Sequence, residues 1–309
     1  MSRIKFRLFG NFQACLSEEL ATASITGKPE ELFCFLLLHR QMMTARESLA
    51  TLLWGGTSTV QSKKYLRDAL WKLQERLALS QEEPPVLLAS AECVYVNPQA
   101  DVWVDVAEFE AAFSAVATLR GRQLTPAQAQ SLRCATALYR GDLLEGWYQD
   151  WCLCERVRFQ EMYLKMLHKL MLWCEVNQQY EEGLHYGETI LRIDRVHERA
   201  HQALMRLRYL TNDRTGALRQ YERLVAALVS DLGVKPSHRS LELYEQIRAD
   251  RAESLWATSV FGLPVIETTT SHLPELLEQC KHILTTLQSL EQQLQREVEI
   301  IELNLKEKG

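Results

Sequence analysis

Shifted by 34 residues, the middle of this chain falls into register with itself. Gly183-Leu184 meets Ala217-Leu218, Glu188 meets Glu222, Ile190-Leu191 meets Leu224-Val225, and upstream Leu170 meets Leu204. That period constrains the fold more than any other feature, because it is the length of one tetratricopeptide-type helix pair. Such a unit cannot bury its apolar face alone and must stack on its neighbours. Gly183 and Ala217 are small where paired helices must approach closely. The tryptophan and proline of the ideal repeat are not in place, so the repeats are degenerate and the period is a stronger sign than the repeat type.

The residues before the repeat follow other rules. Ile4, Phe6 and Leu8 alternate with Arg3, Lys5 and Arg7, which predicts a half-buried strand ended by Gly10-Asn11. Pro29 and Glu30-Glu31 open a helix over 29–40 with Leu32, Phe33, Leu36 and Leu37 on one face. Thr44-Ala45-Arg46-Glu47 fits a capping box and starts a short helix carrying Leu49, Leu52 and Leu53, closed by Trp54-Gly55-Gly56. A longer helix then runs to about position 79 on a stripe of Leu66, Leu70, Leu73 and Leu77. Val86-Leu87-Leu88 and Val94-Tyr95-Val96 flank a small polar centre and predict a hairpin. Strand, three helices and a terminal hairpin, in that order, are the parts of a winged helix-turn-helix.

The fold class that follows is mainly α with a small N-terminal β component: a winged helix-turn-helix, a tetratricopeptide-like helical repeat domain and a C-terminal coiled-coil helix. The expected limits are 1–100 for the winged helix and 101–250 for the helical domain. Residues 251–272 read as a linker, and 273–309 as a dimerisation or docking helix. In the last segment Leu276, Cys280, Ile283, Leu287, Leu290, Leu294, Val298, Ile301 and Leu305 form a heptad seam with one stutter.

Several function classes fall away. The longest apolar run, Leu32 to Leu38, has seven residues, far short of the roughly 20 that span a bilayer. The N-terminus has no apolar core of a signal peptide. The eight cysteines include no C-x-x-C pair, so a reduced, cytoplasmic chain without a membrane is expected. No G-x-S-x-G elbow, Gly-rich dinucleotide turn or G-x-x-x-x-G-K-[ST] loop occurs, and no cofactor is expected. Trp147, Tyr148 and Trp151 read as core or inter-domain packing rather than a ligand cage. His197-Glu198-Arg199-Ala200-His201 is a literal H-E-x-x-H, which on a helix sets two imidazoles on one face beside a general base. A third ligand is wanting: Leu204 and Leu207 occupy the glycine and third-histidine positions of the metzincin extension, and Glu222 belongs to the repeat opposite Glu188. Asp194 is expected to cap that helix. No metal site and no catalytic residue are therefore expected.

The ordered motifs resemble a known family. Ser48 through Trp54 and Tyr65 through Leu73 are similar to the OmpR-type winged helix of the SARP (Streptomyces antibiotic regulatory protein) class of activators. Val104 through Phe109, Tyr139 through Gly146, Asp150 through Arg156, and the runs from Asp194, Asp213 and Leu232 resemble their bacterial transcriptional activation domain. The resemblance covers roughly residues 3–250. It implies binding of double-stranded promoter DNA, with the helical domain contacting RNA polymerase or a co-regulator.

A winged helix reads DNA by laying its third helix in the major groove. With the leucine stripe inward, the opposite face carries Lys64, Asp68, Trp71 and Glu75, with Gln61 and Lys72 on its flanks and Lys63, Arg67 and Arg76 further round. The formal net charge of the whole chain is −5, so any nucleic-acid surface is a local patch. Residues 57–80 supply one, with five basic groups against two acidic. Lys63, Lys64, Arg67, Trp71 and Lys72 are the expected DNA-binding residues. The family carries basic residues where Gln74 and Glu75 stand here, and the wing, Ala89 to Cys93, has no Lys or Arg. The residues thus leave two readings open. One is a DNA-binding regulator, expected to activate and to pair as a homodimer through its tail. The other is an interaction scaffold whose winged helix no longer reads DNA.

Overall fold

The computed structural model describes residues 4–15, 25–78 and 84–250; the expected linker and heptad helix lie outside the described residues. The N-terminal part runs β1 (Ile4–Arg7), β2 (Gln13–Cys15), α1 (Lys28–Leu38), β3 (Thr44–Ala45), α2 (Arg46–Trp54), α3 (Thr59–Ala78), β4 (Leu87–Ala89), β5 (Cys93–Val96) and β6 (Val102–Val104). One small sheet has the order β2-β1-β6 and the other β3-β5-β4. In the first, β2 is antiparallel to β1 and β6 is parallel to it, with Phe6 opposite Val104. The order of strand, three helices and hairpin is that of a winged helix. β6 is a strand where the sequence already reads as helical; three residues are too few for an alternation to register.

Two details of the short second helix differ from expectation. No capping box forms at Thr44 and Glu47: Thr44 lies in β3 opposite Val94, and α2 starts behind Ala45 without a side-chain cap. The helix starts one residue later than the box requires, so the N-cap is Ala45, whose side chain has no acceptor. Leu52, placed with Leu49 and Leu53 on the core stripe, is 43% exposed. A capping box does form between Thr125 and Gln128, at the start of a later helix.

The remaining elements are α4 (Asp105–Ser114), a 3-10 turn (Gly121–Gln123), α5 (Pro126–Thr136), α6 (Asp150–Val176), α7 (Tyr180–Ile193), α8 (Glu198–Leu210), α9 (Arg214–Leu232) and α10 (His238–Arg248). The 34-residue period reaches the individual hydrogen bond. Gln178 and Asn212 both take left-handed backbone, with φ of 58° and 61°. The Gln179 amide donates to the Cys174 carbonyl and the Asp213 amide to the Arg208 carbonyl, each at 2.9 Å. Both bonds close a helix C-terminus in the same way. Close approach explains the small residues. A Cβ on Gly187 would lie 2.6 Å from Leu204 Cδ2 and from Met171 Cε, and one on Gly183 would lie 3.0 Å from Leu207 Cδ1.

One hydrophobic core runs from the N-terminal sheet into the long α6. Phe9, beyond β1, meets Phe109 of α4 at 5.1 Å and Phe159 of α6 at 5.5 Å between ring centroids. Trp151 packs edge-on against Phe35 of α1, and Trp147 packs on Trp151 in turn. Tyr148, grouped with these two in the sequence, is instead 77% exposed. Polar bonds follow the same seam. The Gly10 amide donates to the Asp142 carbonyl, the Leu144 amide to Leu8, and Arg40 pairs with Glu110 at 2.6 Å. At the head of α4 the buried carboxylate of Asp105 accepts from the amides of Leu8 at 2.9 Å, Phe9 at 3.0 Å and Val106 at 2.8 Å. The winged helix and the helical domain are thus cemented together.

Candidate nucleic-acid interface

The third helix is positioned by its apolar side. Leu66, Ala69, Leu70 and Leu73 are buried, and α3 packs on α1 and α2. Every side chain of the opposite arc reaches solvent: Gln61, Lys63, Lys64, Arg67, Asp68, Trp71, Lys72, Glu75 and Arg76 are exposed. Trp71 is 61% exposed, a large apolar area for a residue that burial would stabilise.

The five expected residues do not share one environment. Lys63 turns toward α2, where its Nζ pairs with Glu47 Oε1 at 2.5 Å and holds that carboxyl below its ordinary range. Among the described residues Lys64, Arg67 and Lys72 make no ion pair, and Trp71 lies among them on the same exposed arc. At 100° per residue, Lys63 and Arg67 fall on one flank of the face and Lys72 and Arg76 on the other. Lys64, Asp68, Trp71 and Glu75 fill the centre.

The wing is less bare than its own residues suggest. The guanidinium of Arg46, at the start of α2, donates to the Ser90 carbonyl at 2.6 Å, and the Arg46 amide donates to the Glu92 carbonyl. A cation therefore stands against the β4–β5 turn. Its sequence signal is hidden, because Arg46 sits inside the four residues that read as a capping box.

The H-E-x-x-H residues are each engaged elsewhere. His197, not Asp194, is the N-cap of α8: its Nδ1 accepts from the Ala200 amide at 3.1 Å. Asp194 accepts from the Val196 amide and closes the preceding turn. His201 is buried between the Arg195 carbonyl and Gln220, and burial chiefly lowers its basicity. Glu198 accepts from the Ser237 and Ser240 hydroxyls, each at 2.7 Å, and so ties α8 to α10. The motif is a structural joint between repeats.

Comparison with known proteins bears on the fold. Residues 104–248 match the bacterial transcriptional activator domain. The solved structure titled Mycobacterium tuberculosis EmbR in complex with low affinity phosphopeptide is alike in fold, with a TM-score of 0.67 over 84% of this chain and 69% of that one, at 20% identity. No curated protein matches the sequence. The middle of the chain is a bacterial transcriptional activator domain. Carried behind a winged helix, it makes the chain similar to the SARP-type transcriptional regulators.

Proposed function

We propose that this chain is a promoter-binding regulator, an activator, that lays α3 in the major groove of double-stranded DNA. The observation that carries the reading is the outward arc of α3, where Lys64, Arg67 and Lys72 are exposed and make no ion pair among the described residues. Cations on both flanks suit the two phosphate walls of a groove, and the mixed centre suits base edges. Lys can meet guanine acceptors there, a carboxylate can accept from cytosine N4, and the apolar ring of Trp71 can contact a thymine methyl. Arg46 beside the wing adds one more group for the backbone. The rigid seam with the helical domain holds that domain at a fixed place relative to the duplex, where it would meet RNA polymerase or a co-regulator.

We further propose the limits 1–100 and 101–250 for the two parts, a linker over 251–272, and pairing of two protomers through 273–309. Two tethered readers gain avidity, which compensates for a face carrying Asp68 and Glu75 among its cations.

A salt series on duplex binding tests the reading. Affinity should fall steeply as salt rises. Lys64→Glu with Arg67→Glu should weaken binding and flatten the slope by about one unit for each phosphate that the variant no longer neutralises. The scaffold reading draws on Glu47, which neutralises Lys63, and on the two acids of the face. Binding indifferent to salt and to these substitutions would decide for it.

A further inference from the structure

We propose that the helical domain carries a second binding site, a basic groove that takes an acidic peptide segment of a partner protein. The groove is a cleft of about 830 Å³ lined by α6, α8, α10 and the chain around the 3-10 turn. These are the first helices of successive repeats, the side on which stacked helix pairs build their concave surface.

Its charge is opposite in sign to that of the whole chain. Seven Arg and Lys side chains line it, against one lining carboxylate, Glu161, and one beneath, Glu175, in a chain whose formal net charge is −5. The deeper cations are already held. Arg122 and Arg206 reach Glu175 at 3.2 and 2.9 Å, and Lys169 donates to the carbonyls of Val116 and Leu119. The rim is different. Arg120, Arg199 and Arg239 are exposed and make no ion pair among the described residues, and they come from three separate elements. One of them, Arg199, acts on the interior. His168, in the same wall, has its pKa lowered to about 4, by burial first and then by His197, Arg206 and Arg199.

The shape selects the ligand class. Rim cations carried on separate elements around a cleft of this volume suit a ligand longer than a single phosphate. Between them lie the half-buried apolar side chains Phe113, Leu119, Leu164 and Leu172. Spaced cations over an apolar floor match an extended segment that alternates carboxylates with apolar side chains. The proposal rests on the helical domain facing a partner, but it requires nothing of α3.

The test uses the full chain without DNA. A short labelled peptide alternating Glu and Leu is titrated by fluorescence anisotropy beside its Gln counterpart. The Glu peptide should bind and the Gln peptide should not. Arg199→Glu with Arg239→Glu, both on the surface, should weaken binding about tenfold or more. Arg219→Glu, an equal charge change on the exposed side of α9, should leave it unchanged. Equal affinity for the Gln peptide, or equal loss in the Arg219 variant, overturns the proposal. So does displacement of the peptide by pyrophosphate at matching concentration, which would mark a small-polyanion site, or by duplex DNA, which would mark a nucleic-acid surface. Failure of DNA binding in the α3 variants, with peptide binding kept, would instead count against the promoter reading alone.

Discussion

Asp105 joins the two halves of the molecule through one carboxylate. Burial raises its pKa, and the amides of Phe9, Leu8 and Val106 oppose that shift by bonding the charged form. Asp105→Asn replaces one acceptor with an NH2 group facing amide donors. It should lower stability by about 1–3 kcal/mol, measured by urea unfolding, because a buried donor is left unmet. His168 makes a second prediction at this scale. Folded, its ring titrates at about 4 where the unfolded ring takes a proton near 6.5. The unfolded state therefore binds more protons in that window, and stability falls as the pH is lowered. Between pH 7 and 5 the loss from this ring is about 2 kcal/mol. His201, also lowered by burial, adds to the same slope. A His168→Gln variant should show a flatter dependence of unfolding free energy on pH; an unchanged slope would contradict the assignment.

Among the elements, α7 shows why the repeat reads so clearly. Gly183 and Gly187 put a bare backbone against Leu207 and Leu204 of α8; a Cβ on Gly187 would overlap Leu204, and one on Gly183 would press on Leu207 at 3.0 Å. Gly187→Val should destabilise the protein by about 1–3 kcal/mol through overpacking, or loosen the α7–α8 pair so that hydrogen exchange rises there first. Helix α3 contrasts with α7, because its leucine stripe determines which side is buried but not which cations remain available. Lys63 and Lys64 are neighbours in sequence and alike in type. Only the arrival of Glu47 from α2 separates a paired lysine from an unpaired one. Leu52 gives the same lesson for apolar residues: it follows Leu49 at a core spacing, yet the side of α2 that is buried carries Leu49, Ala50 and Leu53.

For the whole molecule, the shared core makes the winged helix and the helical domain one mechanical body. Phe9 lies at the meeting of α4, α6 and Tyr139, with that ring 4.9 Å away. Phe9→Ala should cost about 3–5 kcal/mol, and the winged helix and helical domain should still melt in a single transition; two separated transitions would show that the seam is weaker than its packing indicates. Deletion of 273–309 should lower the mass in solution by light scattering if that segment pairs protomers. What the sequence determined by itself is what order and spacing can carry: the 34-residue period, the leucine stripe of α3, the hairpin, and the order of parts that resembles a SARP-type regulator. Each is written in the spacing or the order of residues along the chain, so the sequence alone records it. Tertiary structure decided the rest: Arg46 against the wing, Glu47 on Lys63, the H-E-x-x-H residues used as joints, and the basic groove. Those features depend on side chains that meet across tens of residues, and no periodicity along the chain encodes a meeting that only packing brings about.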